Sequence, residues 1–268
     1  MDILRYTFFQ NALWASLLIS IACGIVGTYI VSRRIVFISG GITHATFGGL
    51  GIGFYLGINP LLSALVFAVC SAFGVEYFSR SNSARHIRED SVIAAFWSLG
   101  MAIGVIFIFL TPGYAPNLSA FLFGSILTVS KIDLLWMAIL SAILVLVYVL
   151  GKKTIVYTAF DRDFARTQQL PVRLIEYMMM LFIAATIVLS IRLVGIMLLM
   201  SILTIPQMTV NLFTSNYYKI TILSCIVGLF GCVSGLILSY FFNIPSGAFI
   251  ILVLIILFLI AKIIQRFF

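Results

Sequence analysis

The chain has 268 residues, of which 63% are hydrophobic and only 9% are charged. Soluble domains carry about 25% charged residues, so this composition excludes a soluble protein. Apolar runs recur along the chain, each long enough to cross a bilayer as a helix, and none shows the period-two alternation of a β-barrel. We therefore predict an all-α, polytopic helical membrane protein with a single integral domain, residues 1–268. The net charge of +8 does not indicate a nucleic-acid partner, because basic residues at the cytoplasmic ends of spans give the same sum.

Apolarity predicts about nine transmembrane helices, although a count of eight also stays open. Their approximate ranges are 11–31, 36–57, 59–78, 92–110, 133–150, 175–191, 194–213, 218–241 and 246–264. With the N-terminus outside and the C-terminus cytoplasmic, all but three of the 16 Lys and Arg residues fall on the inner side. The three exceptions are Arg5, Lys131 and Arg192. The first span continues without a break to Val31, so we read it as an uncleaved span rather than a signal peptide.

Two connections between these spans are unusual. The stretch 111–132 is too apolar for a free loop and too interrupted for a span, and we expect it to fold back against the outer membrane surface. The inner stretch 158–171 is predicted to hold a short amphipathic helix, with Thr158 or Asp161 as its N-cap and Pro171 at its end. Such a helix suits docking to a soluble partner, and the alternative is a helix lying in the lipid interface.

Catalytic motifs are missing from the sequence. It contains no P-loop, no His-Glu-x-x-His and no Ser, His and Asp in a hydrolase order, so the chain is not expected to be an enzyme. The four cysteines lie inside apolar runs and form no CxxC pair, which is typical of core side chains. Every carboxylate is expected at or beyond a span end.

The second predicted span carries a histidine, His44, among seven glycines. An ionisable side chain at membrane depth is a functional-site hypothesis by default. On a helix Gly40, His44 and Gly48 share one face, and small residues there allow close helix packing. Imidazole binds transition metals, so His44, with Thr43 and Ser39 beside it, is a candidate translocation site. The alternative is that His44 only hydrogen-bonds a neighbouring helix.

Several blocks in order along the chain resemble the permease subunits of bacterial ABC importers for zinc, manganese and iron. The first block is a double-Arg segment, Arg33-Arg34, that leads to Thr43-His44-Ala45. Four more follow, and they are 123–127, 160–165, 194–206 and 239–248. The family pattern often has an Asp four residues before the histidine, where this chain has Gly40, and a Gly at the end of the coupling helix, where it has Gln169.

This resemblance implies a type II ABC importer-like fold in a bacterial inner membrane. It implies a homodimer of permeases in membrane lipid, two cytoplasmic ATPase subunits and an extracytoplasmic metal-binding solute receptor. The metal is then cargo, and no resident cofactor is expected. The 158–171 helix becomes the coupling helix, in which Asp161, Phe164 and Ala165 transmit ATP-driven closure. Two rival functions stay open. One is an ATP-independent secondary carrier or channel with His44 as a proton or ion switch, and the other is a purely structural membrane subunit.

Overall fold

The computed structural model describes residues 6–81, 88–112, 126, 129–242 and 244–267, and this part of the chain is helical without a strand. The all-α prediction is confirmed. The helices are α1 (Thr7–Ser32), α2 (Phe37–Leu56), α3 (Pro60–Ser81), α4 (Glu89–Leu110), α5 (Lys131–Phe160), α6 (Arg162–Thr167), α7 (Val172–Ile202), α8 (Ile205–Asn211), α9 (Tyr217–Phe242) and α10 (Ser246–Gln265).

Seven segments of the described chain are long and apolar enough to cross a membrane. One of them, Val172–Asn211, holds two of the predicted spans, and α2 is not among the seven. Glycine, serine, threonine and histidine lower the apolarity of α2, although its 20 residues would reach across about 30 Å. A multi-pass membrane protein is thus supported, while the count of nine and the orientation stay predictions.

The chain divides into two compact units. The first consists of residues 1–32, 119–152 and 189–268, and α1 is its most buried long helix. α1 packs against α8 and α9, and α9 packs against α10. The side chain of Gln207 on α8 is fully buried, and its Nε2 donates to the Cys23 carbonyl of α1 at 2.8 Å. At the start of α5, Asp133 forms an ion pair with Arg192 at 3.2 Å.

The second unit consists of residues 33–118 and 153–188. Its centre is α2, which packs against both α3 and α4. The last residues of α5, the short α6 and the first half of α7 complete this unit.

The observed helix ends correct three predictions. α5 continues to Phe160, ten residues beyond the predicted end of its span at 150. Thr158 therefore lies inside α5, where its hydroxyl donates to the Thr154 carbonyl, and it does not begin the short helix. The boundary that we predicted around Arg192 lies at Gly195 instead, where the non-helical backbone (φ 77°, ψ 170°) separates two helices within α7.

Two of the sequence expectations lie largely outside the described residues. They are the fold-back of 111–132 against the membrane surface and the resemblance block at 123–127.

Candidate functional site

Glycines on α2 allow α3 and α4 to approach its backbone directly. A Cβ added at Gly51 would lie 2.5 Å from the Gly104 carbonyl oxygen of α4, and one added at Gly49 would lie 2.5 Å from the Ser63 carbonyl oxygen of α3. The Ser63 hydroxyl donates to the Gly49 carbonyl at 2.5 Å, which fixes the α2–α3 register. The predicted packing role of the α2 glycines is confirmed.

His44 lies on this helix and stacks on Trp97 of α4. The two ring centroids are 4.4 Å apart and the rings are inclined by only 4°. Trp97, Gly100 and Gly104 occupy one face of α4 at spacings of three and four residues, so the face that approaches α2 also carries the indole. The buried Nδ1 of His44 has no hydrogen-bond partner among the described residues. Ring stacking does not use the in-plane lone pair of a ring nitrogen, so Nδ1 stays available to bind a ligand.

The neighbouring hydroxyls are engaged by the backbone of α2. The Thr43 hydroxyl, on a fully buried side chain, donates to the Ser39 carbonyl, and the Ser39 hydroxyl donates to the Val36 carbonyl at 2.7 Å. Thr43 is about 100° from His44 around the helix and Ser39 is about 140° away, so neither shares the histidine face. The helix therefore directs His44 alone of these three toward Trp97.

In the described part of the chain, no group of three or more His, Cys, Asp and Glu residues could hold a metal ion. Gly40 occupies the histidine face one turn before His44 and supplies no side-chain ligand. A closed, tightly binding metal site within this part of one chain is therefore not formed. What α2 offers is one imidazole in a narrow, glycine-lined setting.

The short helix α6 forms where the sequence predicts the coupling helix, but over a shorter range. Asp161 is its N-cap, and its carboxylate accepts from the backbone N–H groups of Asp163 and Phe164 at 3.0 and 2.9 Å. The Phe164 side chain is 46% exposed, and it contacts Tyr157 edge to face at 5.5 Å. Ala165 is fully buried. α6 thus rests on the protein through Ala165 and presents Asp161 and Phe164 outward.

Sequence reasoning missed a partly buried ionic cluster beside α6, which we call the Arg33 cluster. Its members are Arg33, Glu76, Glu89, Arg162 and Glu176. Glu76 and Glu176 are fully buried, near the end of α3 and the start of α7. The sequence did hold a signal for this cluster. Two carboxylates lie in apolar stretches, on the predicted side of the membrane that also holds Arg33 and Arg162.

The model of the ABC 3 transport family matches residues 5–265. The chain belongs to this family. The permease is 40% identical over 263 residues to the membrane protein slr2045 of Synechocystis sp., an alignment that covers 98% of this chain and 92% of that protein. It is 32% identical over 260 residues to the manganese transport system membrane protein MntC of Listeria monocytogenes, covering 97% and 91% of the two chains.

Among solved structures, the permease is similar to a chain of PsaBC from Streptococcus pneumoniae in complex with Fab. The TM-score is 0.84 at 28% identity, and the match covers 97% of this chain and 92% of that one. The protein is therefore the transmembrane permease subunit of a metal ABC transporter, a multi-pass protein of a bacterial inner membrane. Such permeases are non-catalytic, because the ATPase is a separate subunit.

Proposed function

We propose that this permease moves a divalent transition metal into the cytoplasm, with His44 as the side chain that the metal contacts in transit. The observation that carries the proposal is the unpartnered, buried Nδ1 of His44, held next to Trp97 on the glycine-rich helix α2. A polar ring nitrogen buried without a partner costs free energy, so its retention at this depth favours a functional role.

A single imidazole suits passage better than storage. Tight metal sites in proteins use three or four ligands, and such a site would release its ion slowly. His44 contributes one donor, and a pathway needs binding that is weak enough to let the ion leave. A second copy of the chain could supply a second imidazole, which is why we include a homodimer in the proposal.

Manganese is the cargo that we would test first. The Listeria relative is named a manganese transport protein, whereas imidazole by itself suits zinc and iron at least as well. Gly40 removes a possible carboxylate ligand, and carboxylates are what manganese prefers. Zinc and iron therefore stay competitors in every uptake measurement.

The proposed partners follow from α6 and from the family. We infer that a cytoplasmic ATPase docks on α6 through the exposed ring of Phe164, with Asp161 holding the helix start and Ala165 anchoring it to the permease. An extracytoplasmic metal-binding receptor would deliver the ion. Membrane lipid would cover helices such as α5 and α10, whose apolar windows are only 22% and 17% buried.

The decisive experiment distinguishes a metal-binding role of His44 from a packing role. His44→Phe keeps an aromatic ring against Trp97 but removes both ring nitrogens, and His44→Ala removes ring and nitrogens together. In liposomes with the ATPase and receptor, both variants should lower ⁵⁴Mn²⁺ uptake by at least about tenfold, since even outer-shell partners of metal ligands are worth about 10- to 100-fold. Zinc and iron are added as competitors in the same assay.

Two controls complete this experiment. The His44 variants should bind the ATPase as the natural chain does, whereas Phe164→Asp should lose that binding while leaving His44 untouched. Normal uptake by His44→Phe would show that the histidine only packs. Uptake by the permease without any ATPase would establish the secondary carrier instead.

A further inference from the structure

The Arg33 cluster connects α6 to the helices that carry His44 and Trp97. Nε of Arg162, the first residue of α6, forms an ion pair with Oε1 of Glu176 on α7 at 2.7 Å. The same carboxylate oxygen lies 3.6 Å from Nη2 of Arg33, in the turn that leads into α2. That Nη2 is also 3.0 Å from Glu76 at the end of α3 and 3.8 Å from Glu89 at the start of α4. One continuous set of charge contacts therefore joins four helices of the second unit to the turn before α2.

Burial makes the centre of this set unusual, whereas Arg162 and Glu89 at its margin are 34% and 28% exposed. Glu76 and Glu176 are 0% exposed and the Arg33 side chain is 4% exposed, whereas the other described ion pair on α6, Arg166 with Asp163, is 59% and 89% exposed. Buried ion pairs lose much of their attraction to the cost of desolvation, and apolar residues of similar volume often stabilise a fold as well. Stability alone is thus a weak reason for placing these charges here, although breaking one pair leaves the other charge uncompensated.

The cluster also lies at a fixed distance from the proposed transit site. His44 follows Arg33 by 11 residues, and Trp97 follows Glu89 by eight. Since α2 begins at Phe37, both aromatic residues lie about two helical turns, or roughly 10–12 Å, along α2 and α4 from the ends that the cluster holds. A displacement of the charged ends would therefore be carried by rigid helices to the His44–Trp97 pair.

We propose that Arg162 is a positioning residue that couples α6 to metal passage through Glu176 and Arg33. When the ATPase displaces α6, the Arg162 guanidinium pulls on the Glu176 carboxylate, and Arg33 transmits that pull to α2, α3 and α4. This inference rests on the proposed function, since it needs an ATPase on α6 and a cargo at His44.

The test measures coupling and not only activity. The permease is reconstituted with its ATPase and receptor, and Mn²⁺ uptake and ATP hydrolysis are recorded in the same vesicles. Arg162→Gln should bind the ATPase and hydrolyse ATP, while the metal imported per ATP falls about tenfold, within the range typical of coupling between sites. Arg162→Lys should recover part of the ratio, because lysine keeps the charge but not the planar donor geometry.

Arg173→Gln is the matched control. Arg173 lies on α7 only three residues before Glu176, its side chain is exposed, and no ion pair of the described residues includes it. This variant removes the same charge from the same region and should leave the uptake per ATP unchanged. An equal loss in Arg173→Gln would overturn the inference, because it would trace the effect to surface charge.

A double variant keeps the test informative if Arg162→Gln does not assemble with the ATPase. Arg162→Gln combined with Glu176→Gln leaves no charge unpaired between α6 and α7, and it should assemble with the same low uptake per ATP. A natural ratio in either assembled variant would overturn the coupling role while leaving the proposed function intact. Absence of Mn²⁺, Zn²⁺ and Fe²⁺ uptake by the natural complex, by contrast, would reject the proposed function and this inference with it.

Discussion

Gln169 adopts a left-handed backbone conformation, with φ at 56°, at the end of α6. Its N–H donates to the Arg166 carbonyl at 2.9 Å, and the next N–H, of Leu170, donates to the Ala165 carbonyl at 3.2 Å. These two bonds form the Schellman motif that ends many helices, usually with glycine at this position. The chain thus keeps the backbone geometry of a glycine cap while carrying a glutamine, which costs about 1–2 kcal/mol in that region.

This geometry gives a prediction for the end of α6. Gln169→Gly should leave the apparent melting temperature of the purified permease unchanged or higher, because relief of the left-handed strain offsets the entropy of glycine. Gln169→Val should destabilise it by about 1–2 kcal/mol, since a β-branched residue is poorly tolerated at positive φ. Thermal unfolding in detergent and ATPase co-purification measure the two effects.

The neighbouring glutamine is the control. Gln168 is also exposed, but its φ is −81°, so Gln168→Val meets no left-handed strain. Equal melting temperatures for the two valine variants would show that the positive φ at Gln169 is not maintained in the purified permease.

Close packing of α4 against α2 makes Gly104 on α4 sensitive to substitution. A Cβ here would lie 2.5 Å from the Phe47 carbonyl oxygen and 2.7 Å from its carbon, and backbone cannot move aside as a side chain can. Gly104→Ala should therefore separate α4 from α2, destabilise the permease by about 1–3 kcal/mol as overpacking does, and lower metal uptake by disturbing the His44–Trp97 stack.

Gly228 on α9 provides a comparison inside the same chain. A Cβ there would meet only ordinary contacts, the nearest being Ser20 Oγ at 3.5 Å. Gly228→Ala should be neutral or stabilising by up to about 1 kcal/mol, because alanine has the higher helix propensity. If Gly104→Ala and Gly228→Ala have the same melting temperature and the same metal uptake, then close α2–α4 contact is not what holds the site.

The positions of these elements show what sequence could and could not predict. Apolar runs locate most spans because they report the hydrocarbon thickness, but they do not report helix ends. Lys152 and Lys153 end an apolar run, yet α5 continues past them to Phe160, because lysine is a good helix former. Asp161 was predictable as an N-cap, since capping depends on a local side-chain oxygen.

Contacts between distant segments were out of reach. The His44–Trp97 stack depends on the rotation of α2 against α4, and the Arg33 cluster gathers residues from five separate stretches of chain. Single-sequence periodicity fixes which face of a helix is apolar or small, but not which partner that face meets. The sequence could therefore nominate His44 and could not nominate Trp97 or Arg162.

At the scale of the whole molecule, charge fixes the expected orientation. All but three of the 16 Lys and Arg residues lie on one predicted side of the membrane. Of those three, Lys131 is two residues from Asp133 in the sequence, and Arg192 contacts Asp133. The ion pair of Asp133 with Arg192 at 3.2 Å agrees with their assignment to one side. An ATPase can reach α6 only if α6 faces the cytoplasm, so this orientation is a condition for the proposed function.

The two ends of α5 offer a direct test of this orientation. Lys131 and Lys153 are both exposed and 22 residues apart, about 33 Å along the helix, which matches a hydrocarbon core of about 30 Å. In a background with Cys70→Ser, a membrane-impermeant maleimide should label Lys131→Cys in intact cells and Lys153→Cys only after lysis. Arg266→Cys, near the end of α10, should behave like Lys153→Cys if the number of spans is odd. Labelling of Lys153→Cys in intact cells would put α6 outside, and no cytoplasmic ATPase could then act on Arg162.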